Sequence, residues 1–228
     1  MKAIETWSFN EETTKIFDTH VRQSVPSYEM MQELICGIAQ FFIEENGVVV
    51  DVGCSTGETI KRLKEVIPKT FSAFGLDTSE PMIKKAKEKL SNAEDVFFLN
   101  ADISEVALPK ADVIISCLTN PFVSMNKRKK HIESLIRLLK KGGALILVEK
   151  AYAKHSIHQD IFTQLHHDFK EEQGFSKTEI RDKDKSLRGI FRINNADENK
   201  LFLESKGMVV DEFFKCLNFV GYLAIKQA

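Results

Sequence analysis

The chain has 228 residues and a formal net charge of −1. That length suits one large domain with a substantial core, and the balanced charge speaks against a nucleic-acid-binding surface spread over the molecule. Cys36, Cys54, Cys117 and Cys216 are far apart and form no C-x-x-C, so they read as reduced thiols of a cytoplasmic protein. Met1–Phe9 shows no apolar signal core, and no apolar run is long enough to span a bilayer.

Residues 1–46 form an N-terminal helical arm. Tyr28 to Phe42 places Met31, Leu34, Ile35, Ile38, Phe41 and Phe42 at helical spacing, with Ser27 as N-cap. The preceding stretch, Trp7 to Val25, is either a flap over a ligand or a surface arm. Residues 47–149 alternate strands and helices. Strands are expected at 48–52, 71–76, 96–99, 113–118 and 144–148. Helices are expected at 58–66, after the cap Ser79, and at 129–139, the last ending at Gly142-Gly143. Residues 206–228 supply two more strands, 208–214 and 217–225, joined by a short turn and hence antiparallel. The fold class is α/β, a doubly wound, seven-stranded, mostly parallel sheet of Rossmann-like type with an antiparallel last strand. Residues 150–205 are too long for one crossover helix. They read as an inserted helical lid, with an amphipathic helix at 156–169 and a charged stretch at 177–192 anchored by Leu187, Ile190 and Phe191.

The chemistry centres on Val48 to Gly57. An apolar run typical of a strand buried on both faces breaks at Gly53 and Gly57, and a helix follows. Glycines there admit a ligand close to the backbone, and free amides at the helix start face it. Two glycines four residues apart are too few for a dinucleotide fingerprint, and no phosphate-loop Gly-Lys-Ser/Thr follows. Asp51-x-Gly-x-x-x-Gly is similar to the first motif of S-adenosylmethionine (SAM) methyltransferases. Asp77, ending the second strand, can accept both ribose hydroxyls, or simply cap the next helix. Asp102, after the third, can accept from an adenine amino group.

Four of the six histidines, His155, His158, His166 and His167, fall in one expected helix. No H-E-x-x-H or cysteine partner accompanies them, so no metal site is expected. His166 and His167, with Tyr152 just beyond strand 5, are the candidate catalytic groups, as base or substrate contact. The alternative for the histidines is the surface of an amphipathic helix. Lys127–Lys130 and Lys140-Lys141 read as solvated basic faces, with a tRNA contact as the alternative.

Almost end to end, the chain resembles the carboxy-S-adenosylmethionine synthases, methyltransferase-fold enzymes of the bacterial tRNA wobble-uridine pathway. The segments carrying the resemblance are Trp7–Asn10, Gln23–Tyr28, Asp51–Ser55, Ser79–Ile83, Gly142–Leu145, Glu149-Lys150, His166–Lys170 and Cys216–Phe219. It implies a homodimer and cofactor contacts from Tyr28, Gly53, Cys54, Ser55, Asp77, Thr78, Asp102 and Ile103, with Gly57 added by the glycine motif. The chain departs from the family at two positions. Cys117 stands where the family has an Asn near the cofactor. Asp184 stands where the family has an Arg that holds the carboxylate added to the sulfonium methyl, and an Asp cannot grip a carboxylate at neutral pH. The leading expectation is therefore a SAM-dependent methyltransferase acting on an unidentified small acceptor. The alternatives are the synthase itself, supplied with prephenate, and a cofactor-binding regulatory or partner protein without turnover.

Overall fold

The structure, a computed structural model, describes residues 6–227; the first residues of the Met1–Phe9 segment lie outside that range. The seven strands are β1 (Gly47–Val52), β2 (Phe71–Asp77), β3 (Val96–Asn100), β4 (Ala111–Cys117), β5 (Leu139–Lys150), β6 (Met208–Cys216) and β7 (Phe219–Lys226). They form one sheet in the order β3-β2-β1-β4-β5-β7-β6. Strands β1 to β5 are parallel, and β7 runs antiparallel to both β5 and β6. The inner place of β7 follows from its side chains. Phe219, Val220, Tyr222 and Ala224 are buried, whereas β6 is largely exposed along its length and suits an edge.

Helices α1 (Glu11–Ser24), α2 (Tyr28–Phe42), α3 (Glu58–Val66), α4 (Glu80–Lys89), α5 (Met125–Leu138), α6 (Ser156–Glu172), α7 (Lys177–Ser186) and α8 (Ala196–Ser205) complete the chain. Met31, Ile35, Ile60, Leu63 and Ile83 bring α2, α3 and α4 onto one face of the sheet. Ile132, Leu135, Ile136 and Leu203 bring α5 and α8 onto the other. The result is a three-layer α/β/α core. No described helix is long and apolar enough to cross a membrane.

Several local expectations are revised. Ser27 caps α2 in a left-handed conformation (φ 58°) without a side-chain bond, while Ser79 does accept from the Met82 amide at 3.4 Å. Helix α5 starts one turn earlier than its apolar spacing indicates, after a 3-10 turn at Asn120–Phe122. Gly142, at φ 77°, lies inside β5 where its register with β4 shifts, rather than capping α5. Helix α8 lies against β6 and β7, so its Leu203 is a sheet-covering residue. The described part of the 150–195 segment instead holds α6, α7 and a loop pinned by the buried Arg128. That guanidinium donates to the carbonyls of Arg192 (2.7 Å), Val123 (3.1 Å) and Pro121 (3.3 Å) and to Asn194 Oδ1 (3.0 Å).

Candidate functional site

The winding of the sheet reverses between β1 and β4, and the carboxyl ends of those strands open into a crevice, the place where such folds bind ligands. A cavity of about 760 Å³ fills it. One wall is the loop from β1 to α3. The Gly53 and Cys54 amides donate to the Leu76 carbonyl at 2.7 and 2.9 Å, which folds the loop back over β2. Gly53 sits at φ 75°, and a Cβ there would collide with the Thr119 hydroxyl, so only glycine fits. Gly57, also left-handed, caps α3 against Phe98 and does not reach the cavity wall.

Three carboxylates mark this half of the cavity. Asp51 is 2% exposed, and its Oδ2 has no hydrogen-bond partner among the described residues. Burial, reinforced by the nearby Asp77, pushes its pKa up to about 7. Asp77 accepts from the Ser55 amide through Oδ2 and from the Ser79 amide through Oδ1, both at 2.9 Å. Burial raises its pKa against the pull of those amides. Asp102 Oδ1 accepts from the Ser104 amide (2.8 Å) and hydroxyl (2.7 Å). Burial opposes its charge, but the Ser104 bonds and the neighbouring His131 and Lys127 hold its pKa below the usual range. Tyr28, Cys54, Ser55, Thr78, Ile103 and Cys117 share the wall. Burial raises the pKa of both thiols, which therefore contact the cavity as neutral groups.

The other half is built from amines. Burial and the charge of Lys170 push the pKa of Lys183 down to about 6, leaving Lys150 and Lys170 as its cations at neutral pH. Lys150 ends β5, Lys170 lies one turn after His166 on α6, and Lys183 comes from α7. Burial first, then the charge of Lys170, pushes Lys150 down to about 8, with Asp184 opposing. Lys170 is 8% exposed and is likewise lowered by burial against the attraction of Asp184. His166 is spoken for on both ring nitrogens. In the tautomer that fits, Nε2–H donates to the Ser24 carbonyl (2.9 Å) and Nδ1 accepts from Lys150 Nζ (3.4 Å). Burial, with Lys150 and Lys170, takes its pKa down to about 3, so it orients Lys150 and has no lone pair left to act as a base. His167 bonds through Nε2 to Asp184 Oδ2 at 3.0 Å, and among the described residues its other nitrogen has no partner. Tyr152 lies on the wall, 48% exposed, its amide bonded to the Asn194 carbonyl. His155 and His158 stay at the exposed start of α6.

The N-terminal arm covers the top. Trp7, Phe9, Phe17, Asp18 and His20 reach the cavity. Phe9, Phe122 and Phe191 form an edge-to-face chain tying arm, core and lid region together. Sequence reasoning missed Lys150, Lys170, His20 and His131 as wall residues. For Lys170 a signal existed, since i and i+4 place it on the face of His166.

These residues fit an adenosyl-amino-acid cofactor. The orphaned, buried Asp51 Oδ2 asks for a cationic donor such as an α-ammonium. The Cβ-free bend at Gly53 admits close backbone approach. Asp77 and Asp102 retain lone pairs for ribose hydroxyls and a base amine.

A methyltransferase-domain family model matches residues 49–143. The chain is 34% identical to the carboxy-S-adenosyl-L-methionine synthase of Staphylococcus epidermidis, over 96% of this chain and 97% of that protein. It is 32% identical to the protein of the same name from Methylococcus capsulatus, over 98% and 95%. Among solved structures, a SAM-dependent methyltransferase from Aquifex aeolicus superposes with TM-score 0.62 at 19% identity, covering 96% of this chain and 99% of that one. A putative SAM-dependent methyltransferase from Methanococcus maripaludis does so with TM-score 0.67 at 16%, covering 100% and 98%. The structural likenesses establish the fold, and with it the Rossmann-like sheet read from the sequence. With the glycine loop, the three strand-end acids and near-full-length identity in place, the chain belongs to the carboxy-S-adenosyl-L-methionine synthase family, SAM-dependent transferases on the methyltransferase fold.

Proposed function

We propose that the protein transfers a carboxyl group to the methyl carbon of SAM, forming carboxy-SAM, with a small carboxylate donor of the prephenate kind as second substrate. The observation that carries this reading is the pair of lysines beyond the end of β5 that face the cavity, the half-buried Lys150 and the buried Lys170. Buried charges without sufficient counter-charge are costly, and an anionic substrate would supply what the protein does not. Asp184 weighs less against the reading than its sequence position implies, because His167 engages it and both lysines face it.

SAM, when bound, supplies a sulfonium whose attached methyl is electrophilic and whose C–H bonds are acidified. Asp51 would hold its ammonium, Asp77 its ribose and Asp102 its base amine. Lys150, held by His166, and Lys170 would fix the donor carboxylate next to the methyl, where positioning supplies much of the rate. His167, oriented by Asp184, would accept the proton that the methyl carbon must lose, while the donor's carbon–carboxyl bond breaks and its electron pair expels a hydroxide from the donor, which leaves as water on taking up that proton. Covering by the arm and by α6 and α7 would exclude water from the reacting carbon.

Methyl transfer to a carboxylate-bearing acceptor is the second reading. It is favoured by Asp184 itself, which makes a His–Asp pair suited to deprotonating an acceptor hydroxyl or amine. Incubation with SAM and prephenate, followed by mass spectrometry of the adenosyl products, separates the two. Carboxy-SAM is the expected product. S-adenosylhomocysteine formed in step with a methylated carboxylic acid, without carboxy-SAM, overturns the proposal. A homodimer is part of the same reading, to be checked by sedimentation.

A further inference from the structure

The base-binding end of the cavity is closed by a face of α5 that no motif reading assigned. Ser124, Lys127 and His131 recur at i, i+3 and i+7, so they line one side of that helix. Ala101, Asp102 and Ile103 line the same cavity, and Asp102 and His131 are close enough for each to feel the other's charge. His131 Nε2 is buried and has no hydrogen-bond partner among the described residues. A buried ring nitrogen left unbonded costs free energy unless a ligand completes it. Asp102 is prepared in a complementary way, with Oδ1 fixed by Ser104 and Oδ2 left free of those bonds.

We propose that His131 is a specificity-determining residue that donates Nε2–H to a ring nitrogen of the cofactor's purine while Asp102 accepts from the 6-amino group. The inference rests on the adenosyl cofactor already assigned to this site. An amino group beside an unprotonated ring nitrogen is the pattern of adenine on either edge, at N1 or at N7. A carboxylate and an imidazole N–H side by side form its complement. A 6-oxo purine would set its oxygen against the Asp102 carboxylate. Burial lowers the pKa of His131, outweighing the attraction of Asp102 and aided by the charge of Arg128 one turn earlier on α5. The ring is thus neutral and carries one hydrogen.

Calorimetry with S-adenosylhomocysteine and its 1-deaza and 7-deaza analogues tests this without turnover. Wild-type protein should bind one of the two analogues about tenfold more weakly than the parent, a factor typical of one lost hydrogen bond. His131→Leu should lose about the same factor for the parent and bind that analogue no worse than wild type does. His131→Gln, which retains a donor, should recover part of the loss. Parent binding unchanged in His131→Leu, or a deaza penalty of equal size in both proteins, overturns the inference. Should His131→Leu fail to fold, equal wild-type affinity for the parent and both analogues overturns it just as directly. Because the parent is measured in every case, failure of this inference is distinct from failure of the cofactor assignment.

Discussion

His167 Nε2 and Asp184 Oδ2 lie 3.0 Å apart across the gap between α6 and α7. The bond joins the two helices that roof the cavity, and it fixes which ring nitrogen of His167 is available to the cavity. It also gives Asp184 an occupation other than facing the substrate alone.

Removing that carboxylate should separate rate from affinity. Asp184→Asn should slow turnover by roughly 10–100-fold, a fraction of what a positioned base contributes, because His167 loses the charged acceptor that fixes its tautomer and an amide can present a donor there instead. The same change removes a negative charge facing Lys150 and Lys170. Binding of carboxy-SAM relative to SAM should therefore strengthen severalfold, and more in Asp184→Arg. Turnover kinetics with calorimetry on both ligands check this. A ratio of affinities that stays put in both variants would show that Asp184 does not face the transferred group.

Asp77 should prove both ligand and scaffold. It takes the Ser55 and Ser79 amides at 2.9 Å each, so it holds the glycine loop as well as any ribose. Asp77→Ala should weaken SAM binding by about 1.5–3 kcal/mol, the range for hydrogen bonds to a charged group. It should also lower stability by about 1–2 kcal/mol through the lost cap and loop tie. Urea unfolding read beside calorimetry distinguishes the two effects. Undiminished stability would mean the loop holds itself.

Cofactor binding should release a proton near pH 6. Asp51, with its pKa about 7 when buried, is mostly protonated there, and an incoming ammonium requires the carboxylate. Affinity should rise between pH 5 and 7 on this account. The sign for folding is opposite. A carboxyl whose pKa is raised on folding contributes stability that is full below the unfolded value and lost as pH climbs toward 7. Calorimetry in buffers of different ionisation enthalpy counts the proton. Equal heats in all buffers at pH 6, or release that persists in Asp51→Asn, would remove Asp51 from the ammonium site.

The parallel core was legible because its signals are local. The run Val48–Val52, Gly53 beyond it, and Asp77 and Asp102 at strand ends are each visible in short windows. The placement of β7 inside β6 was not, since both strands are apolar enough and only burial across the sheet distinguishes them. The helical role of residues 196–205 was hidden by a weakly amphipathic pattern in a charged segment. The cationic half of the site was hidden for a deeper reason. Lys150, Lys170 and Lys183 lie on three elements, and in sequence each resembles an ordinary surface lysine. Only the packing of α6 and α7 over β5 buries Lys170 and half-buries the other two. His166 shows the converse error. Its motif marked it as chemistry, yet both its nitrogens are consumed in holding Ser24 and Lys150.

Lys170 offers the sharpest dissociation of stability from function. The residue is 8% exposed, and burial lowers its pKa despite Asp184. Between the folded and unfolded pKa values the unfolded chain binds more protons, so stability contributed by this group rises with pH across that window. Below it, the protein bears a buried charge that an apolar side chain would not. Lys170→Met should accordingly leave the ligand-free protein as stable at pH 7 as the parent, or more so, because replacing an under-paired buried ion by a hydrophobe of similar volume is often neutral or favourable. The same variant should lose affinity for the carboxylate substrate by at least about 1.5–3 kcal/mol, while binding of S-adenosylhomocysteine, which carries no carboxylate at the methyl position, stays near that of wild type. Thermal unfolding and calorimetry on the two ligands give the three numbers. A variant that unfolds at clearly lower temperature with unchanged carboxylate binding would make Lys170 a structural residue and leave the cationic wall without its main member.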